Sequence, residues 1–181
     1  GGIYTGEDIK RFMDMGAAGV QMGTRFVTTE ECDASDIFKQ TYIEAKQEDI
    51  QIIKSPVGMP GRAIFSKFIQ KVKEGQKQPK TCMCKCIKTC DISKSPYCII
   101  AALYNAFKGN MDNGYAFAGA NAFRATKIVS VKETFRSLLD ELSINNIIGS
   151  VQKTFDTPDY IIFKVYKVYK VPPAGRFVCG S

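Results

Sequence analysis

The sequence predicts an α/β fold, and its opening segment carries the main evidence. The chain begins "GGIYTGEDIKRFMDMGAAGVQMGTRF": two glycines, a stretch with helical periodicity, and a short apolar run. A helix that leads into a short strand buried on both faces is typical of domains with a parallel sheet. A length of 181 residues is enough for one domain with a hydrophobic core, or for such a domain with an appendage.

The first helix is marked at both ends. Thr5 is the predicted N-cap, and Asp8 stands at the third helical position, where it completes a capping box. Gly16 follows the last periodic residue and is a natural place for the helix to end. The apolar face of this helix consists of Ile9, Phe12 and Met13. The run "AAGVQMG" at 17–23 is then the predicted buried strand.

Apolar periodicity predicts three more helices, over 34–47, 97–108 and 130–142. Ser130 is the predicted cap of the last one, and Glu133 completes its capping box. The residues predicted to face the core are Ile37, Phe38, Tyr42 and Ala45 in the first of these helices, and Ile99, Ile100, Leu103 and Phe107 in the second.

Between these helices, "KSPVGMPGRA" at 54–63 is predicted to be a loop, because proline and glycine punctuate it. An amphipathic helix follows, with an apolar face made of Ile64, Phe65, Phe68, Ile69 and Val72. Residues 143–181 differ in character: "IIFKVYKVYKV" alternates weakly, as an exposed strand or hairpin does, and "PPAGRFVCGS" has the composition of a loose tail.

Composition excludes several classes of protein. No apolar run approaches the roughly 18 to 20 residues that span a bilayer, and no signal peptide is visible, so we expect a cytoplasmic protein without a membrane partner. Residues 60–110 carry 10 basic and 2 acidic side chains. Their lysines are not interleaved with aromatic residues, so we predict a solvated helix surface and no nucleic-acid partner. The chain has no histidine, so any chemistry it performs alone must use other groups.

The glycines of the opening segment predict an anion-binding site. A glycine pair lets backbone N–H groups approach an anion without a Cβ in the way, and the following helix would aim its N-terminus at the same place. "MGTR" repeats the device about 20 residues later, with Gly23 for close approach and the Thr24 hydroxyl as a further donor. Two such loops after successive parallel strands form the phosphate site of many TIM barrels.

Five segments together resemble the C-terminal part of the nitronate monooxygenase family, formerly called 2-nitropropane dioxygenase. They are "GGIYTGEDI", "MGAAGVQMGTRF", "TEEC", "KSPVGMPGRA" and "FAGANAFR…SVKE", and the resemblance runs from residue 1 to about 142. Flavin-dependent enoyl-ACP reductases are close relatives of that family. The resemblance implies an α/β fold: the C-terminal portion of an FMN-binding TIM barrel, around strands seven and eight, with a mainly helical added domain.

Carried over residue by residue, the resemblance implies that Gly1 and Gly2 close the loop after strand seven. Gln21, Met22, Gly23 and Thr24 would close strand eight. Together these residues would bind the FMN phosphate through backbone amides, helped by the Thr24 hydroxyl. Asn121 in "AGANAF" either reaches the cofactor side of the barrel or caps a helix; both readings stay open.

The family's proton-transfer histidine is absent here, so no catalytic residue is assigned to this chain. The chain begins in the middle of the implied barrel, and we expect it to be a fragment that is inactive alone. The expected division is 1–50 for the end of the barrel, 51–142 for the added helical region, and 143–181 for an extension of unknown nature.

The expected function is oxidation of alkyl nitronates with FMN and dioxygen, with a small molecule as substrate. One alternative is a flavin-dependent enoyl-ACP reductase, whose basic 60–110 region would meet an acyl carrier protein. A second alternative is a non-enzymatic metal module built on the thiols of "CMCKCIKTC" and Cys98. No C-x2-C pair is present, so we predict that Cys82, Cys84, Cys86 and Cys90 cluster in a loop without a metal.

Overall fold

The structure, a computed structural model, describes residues 2–78, 82, 88 and 90–143. The predictions for Gly1, for Cys84 and Cys86, and for the extension beyond residue 143 therefore lie outside the described residues. No helix in the described part of the chain is both long and apolar enough to cross a membrane.

The helices are α1 (Gly6–Asp14), α2 (Asp36–Glu44), α3 (Lys67–Lys73), α4 (Ile99–Phe107) and α5 (Val131–Ser143). Short 3₁₀ turns lie at Thr24–Phe26, Gln47–Asp49, Met111–Asn113 and Ala122–Arg124. The capping box of α1 is confirmed: the Thr5 side chain accepts from the Asp8 amide, and the Asp8 carboxylate accepts from the Thr5 amide. The Ser130 cap of α5 is also confirmed, since its Oγ accepts from the Glu133 amide at 3.1 Å. The Glu133 carboxylate pairs with Lys127 at 2.9 Å.

The predicted loop at 54–63 is wrong, because half of it belongs to a β-hairpin. Strands β1 (Ile50–Lys54) and β2 (Pro60–Ile64) pair in antiparallel fashion, with Ile50 opposite Ile64. Pro60 stands at the first position of its strand, where a missing N–H is tolerated. The helix predicted from Ile64 accordingly begins later, as α3, with Ser66 as its N-cap.

The predicted strand over 17–23 is not present in the described structure. A strand requires a hydrogen-bonded neighbour, and no segment of the described chain forms ladder hydrogen bonds with these residues. Two apolar side chains of this run still pack inward: Met22 is buried with Ile9 and Leu138, and Val20 packs against that cluster.

Three side chains predicted to face the core are exposed instead: Met13 at 49%, Ile37 at 60% and Ile100 at 45%. Helical spacing identifies the residues that share one face of a helix. It does not tell how much of that face other parts of the described chain cover.

Helix α5 returns to the beginning of the chain and packs on α1. An added Cβ at Gly6 would lie 2.5 Å from the Leu138 carbonyl oxygen, so the two backbones are in close contact. Thr29 and Val129 form an isolated parallel β-bridge. The two ends of the segment 30–128 therefore lie next to each other. That long insertion contains its own core of hairpin, α2, α3 and α4 side chains.

Candidate functional site

The two glycine loops meet on one short segment, Gly119–Asn121, which we name the brace. The Asn121 side-chain amide donates to the carbonyl oxygen of Gly2 at 2.5 Å. The Gly119 amide donates to Thr24 Oγ1 at 2.8 Å. Two loops about 20 residues apart in sequence therefore both contact a segment almost 100 residues further along the chain.

At the first loop, Gly2 has φ +84°, in the left-handed region that favours glycine. Its carbonyl oxygen is turned toward Asn121. Because the carbonyl and N–H of a trans peptide point in opposite directions, the Ile3 N–H points away from the brace. That N–H makes no hydrogen bond to the described part of the chain, so it is available to an acceptor from outside.

At the second loop, neither the Gly23 nor the Thr24 amide makes a hydrogen bond within the described residues. Gly23 has φ −118°, which is not a backbone conformation reserved for glycine. An added Cβ at Gly23 would meet no atom of the described chain within 4 Å. Neither local strain nor packing there explains a glycine, whereas a group bound close to the backbone would.

The Thr24 hydroxyl keeps a donor for a ligand. Its oxygen accepts from the Gly119 amide, and its own O–H has no acceptor among the described residues. Thr24 is half-buried, as a residue at the edge of such a site would be.

Gln21 and Met22 differ from the other predicted site residues. Met22 is only 7% exposed and packs against Ile9 and Leu138, so its side chain anchors the loop to α1 and α5. The Gln21 side chain is exposed. In the described structure, neither side chain makes a hydrogen bond to the brace.

The expectation that α1 aims free amides at an anion is wrong. The amides of Tyr4 and Thr5 donate to Asp8 Oδ2 at 3.0 and 3.1 Å, and the Gly6 amide donates to Glu141 Oε2 at 2.7 Å. The chain's own carboxylates therefore occupy this helix end. Burial raises the pKa of Asp8, but the amide hydrogen bonds from Tyr4 and Thr5 outweigh it and the pKa is lowered overall.

Positive charge lies beside both loops. The guanidinium of Arg25 stands over the Tyr4 ring at 4.3 Å, and that of Arg124 stands 5.3 Å from the same ring. Tyr4 is buried, with 4% exposure. Arg124 also lies 3.8 Å from an Asp8 carboxylate oxygen, which offsets part of its charge. Arg25 has no carboxylate partner in the described residues, so it leaves net positive charge next to Thr24.

The cysteine prediction is not tested. Cys82, Cys90 and Cys98 are half-buried free thiols, while Cys84 and Cys86 lie outside the described residues. Within the part of the chain that the structure describes, no group of three or more candidate ligands comes close enough to hold a metal ion.

The fold is shared with solved structures of larger proteins. FabK from Thermotoga maritima superposes with a TM-score of 0.63 at 23% identity, over 86% of this chain and 45% of that protein. Nitroalkane oxidase from Streptomyces ansochromogenes gives a TM-score of 0.58 at 18% identity, over 80% of this chain and 38% of that protein. At these identities the likeness shows the fold: a mixed α/β arrangement that matches part of each neighbour.

The sequence comparison is more specific. The family model for nitronate monooxygenase matches residues 1–141, and the chain therefore belongs to that family. A probable nitronate monooxygenase from Staphylococcus saprophyticus is 39% identical over 74 residues. A probable nitronate monooxygenase from Staphylococcus aureus is 35% identical over 74 residues. The matched segment is 41% of this chain and 21% of either relative, so the chain matches about a fifth of their length.

Two contributors to this site were not assigned from sequence. Gly119 carries no signal in the sequence that pairs it with Thr24, because 95 residues separate them. Asn121 stood as a candidate with two open readings, and its side chain bonds to Gly2 instead of capping the turn that follows it.

Proposed function

We propose that this chain provides the FMN phosphate site of an FMN-dependent oxidoreductase that oxidises alkyl nitronates with dioxygen. The observation that carries the proposal is the convergence of the Gly2 and Gly23–Thr24 loops on the brace, with outward donors that have no partner among the described residues. Membership of the nitronate monooxygenase family favours the nitronate substrate over the enoyl-ACP alternative.

The donor set suits a phosphate ester. Backbone amides of Ile3, Gly23 and Thr24, with the Thr24 hydroxyl, would donate hydrogen bonds to the charged phosphate, and such bonds are stronger than those between neutral groups. The space beside Gly23 is open, and Arg25 supplies nearby positive charge. Gly1 would add a further amide. Gln21 and Met22 would take part only through their backbone.

When bound, the flavin would supply the redox chemistry between the nitronate and dioxygen. The residues of this chain would bind and orient its phosphate. The chain has no histidine to hold or move a proton, so we propose that nitronate oxidation requires protein outside these 181 residues. We expect the chain alone to bind FMN weakly and to catalyse no nitronate oxidation. We also propose that the protein is cytoplasmic.

We also propose a division of the chain that follows its packing and differs from the expected boundary at residue 50. Residues 2–29 and 129–143 would form the end of the TIM barrel, because α5 packs on α1 and Thr29 pairs with Val129. Residues 30–128 would form the added region, inserted after the segment that the resemblance assigns to strand eight. The brace belongs to that insertion, so the inserted region would support the cofactor site of the barrel.

The test compares two glycine-to-alanine variants in a flavin fluorescence titration with FMN. Gly23→Ala places a methyl group where the phosphate would approach, and Gly19→Ala is the matched control. An added Cβ at either glycine meets nothing within 4 Å, and neither glycine has a positive φ, so both variants should fold. Losing one or two charge-assisted hydrogen bonds at about 1.5 to 3 kcal/mol each would weaken FMN binding roughly tenfold or more in Gly23→Ala alone.

Equal FMN affinity in Gly23→Ala, Gly19→Ala and the unmodified chain would contradict the proposed site. A nitronate-dependent oxygen uptake assay tests the reaction separately. Activity of the chain alone would show that the proton-transfer groups were misjudged. NAD(P)H-dependent reduction of an enoyl thioester by the complete enzyme, without nitronate oxidation, would favour the alternative substrate.

A further inference from the structure

We infer that Asn121 is a positioning residue for the phosphate site, an inference that rests on the proposed function. Its side-chain amide donates to the Gly2 carbonyl oxygen across 119 residues of chain. This bond fixes the orientation of the Gly2–Ile3 peptide and thereby the direction in which the Ile3 N–H points.

The orientation of that peptide needs an external restraint. Glycine populates positive and negative φ with similar ease, so the peptide after Gly2 can turn over at little cost. At φ +84° its carbonyl faces Asn121 and its N–H faces away. If the peptide turned over, a carbonyl oxygen would face the phosphate where a donor is required, and the oxygen would repel the anion.

The two residues that precede the brace are anchored to the hairpin and to α2. Tyr42 Oη donates to the Phe117 carbonyl at 2.6 Å, and the Ala118 amide donates to the Arg62 carbonyl at 3.0 Å. Tyr42 is 2% exposed, so this attachment lies in the core. The hairpin and α2 therefore hold the segment that orients the first loop.

The same segment acts on the second loop through a different atom. The Gly119 amide donates to Thr24 Oγ1, which leaves the threonine O–H as a donor. Asn121 would fix the direction of the Ile3 N–H, while Gly119 would fix the direction of the Thr24 O–H. Removing the Asn121 amide should therefore impair one loop and spare the other.

The experiment titrates the isotopically labelled chain with inorganic phosphate and follows backbone amides by NMR. In the unmodified chain the Ile3, Gly23 and Thr24 amides should all shift. In Asn121→Ala the Ile3 response should be lost, the Gly23 and Thr24 responses should persist, and the apparent Kd should rise at least fivefold. Asn121→Asp keeps the shape of the side chain and replaces its donor with an acceptor, and it should give the same pattern if Asn121→Ala fails to fold.

Asn105→Ala is the matched control, because Asn105 also donates its side-chain amide to a backbone carbonyl, that of Asn113 at 3.2 Å. It should leave all three responses and the Kd unchanged. A role in general stability alone would weaken all three responses together, and that result would overturn the inference. A normal Ile3 response in a folded Asn121 variant would overturn it as well. Absence of any response in the unmodified chain would instead refute the phosphate site itself.

Discussion

Replacement of Gly6 by alanine should destabilise the contact between α1 and α5. The added Cβ would lie 2.5 Å from the Leu138 carbonyl oxygen, 2.7 Å from Glu141 Cβ and 2.8 Å from the Leu142 amide nitrogen. Two of these three atoms are backbone, so the helices must separate for the methyl group to fit. Their separation would also stretch the 2.7 Å hydrogen bond from the Gly6 amide to Glu141.

The magnitude follows from opposing effects. Overpacking costs about 1 to 3 kcal/mol, and weakening a hydrogen bond to a carboxylate adds about 1 kcal/mol or more. Alanine regains at most about 1 kcal/mol through its higher helix propensity. The net loss is about 2 kcal/mol, which lowers the Tm of a protein of this size by about 4 to 8 °C.

Thermal unfolding followed by circular dichroism measures this effect. Gly19→Ala is the control, since an added Cβ there has open space, and its Tm should stay within about 2 °C of the unmodified chain. If Gly6→Ala were as stable as Gly19→Ala, α1 and α5 would not pack at the distance described here. The return of α5 to the beginning of the chain would then need revision.

Four further predictions concern stability and metal content. Tyr42→Phe should cost about 1 to 3 kcal/mol in urea unfolding, because it leaves the Phe117 carbonyl without its donor; an unchanged midpoint would argue against that bond. Burial raises the pKa of Tyr42, so its contribution is present below about pH 10 and should be lost above it, which a Tm series against pH would detect. The pKa of Asp8 is lowered, so its contribution is present above about pH 4 and should be lost as the pH falls further; Asp8→Asn should flatten this acid limb of the Tm curve. Elemental analysis of protein purified without oxygen should find no stoichiometric zinc or iron, and one equivalent of either would support the metal module.

Local signals in the sequence predicted local structure well. Thr5 and Asp8 lie three residues apart, and their capping box needs only the turn that they begin. Ser130 is a cap for the same reason. These features depend on neighbouring residues, so the order of side chains along the chain was enough to find them.

Features that depend on distant partners were not found in this way. The hairpin was missed because the prolines and glycines of 54–63 indicate a loop, whereas pairing with β1 and with residues 116–118 stabilises β2 as a strand. Gly61 has a packing reason that sequence does not show, since the Phe117 ring lies against its backbone. The prediction for 17–23 has the opposite error: a strand was predicted where the described structure has none. The apolar composition of this run suits a strand, but no described segment pairs with it.

The candidate site was predicted only in part from the sequence. Its glycines and Thr24 were predicted from motif and resemblance, but the brace connects them through hydrogen bonds that span 95 and 119 residues. Sequence spacing also suggested that α1 offers free amides. It could not show that Glu141, on a helix far along the chain, takes the Gly6 amide.

The most direct test of the central claim compares FMN with riboflavin, which lacks the phosphate. Backbone amide shifts of the labelled chain would be recorded at matched concentrations of the two flavins. We predict that FMN shifts the Ile3, Gly23 and Thr24 amides and that riboflavin leaves them unchanged. Equal shifts with both flavins, or FMN-induced shifts confined to other parts of the chain, would contradict the claim that these loops bind the phosphate.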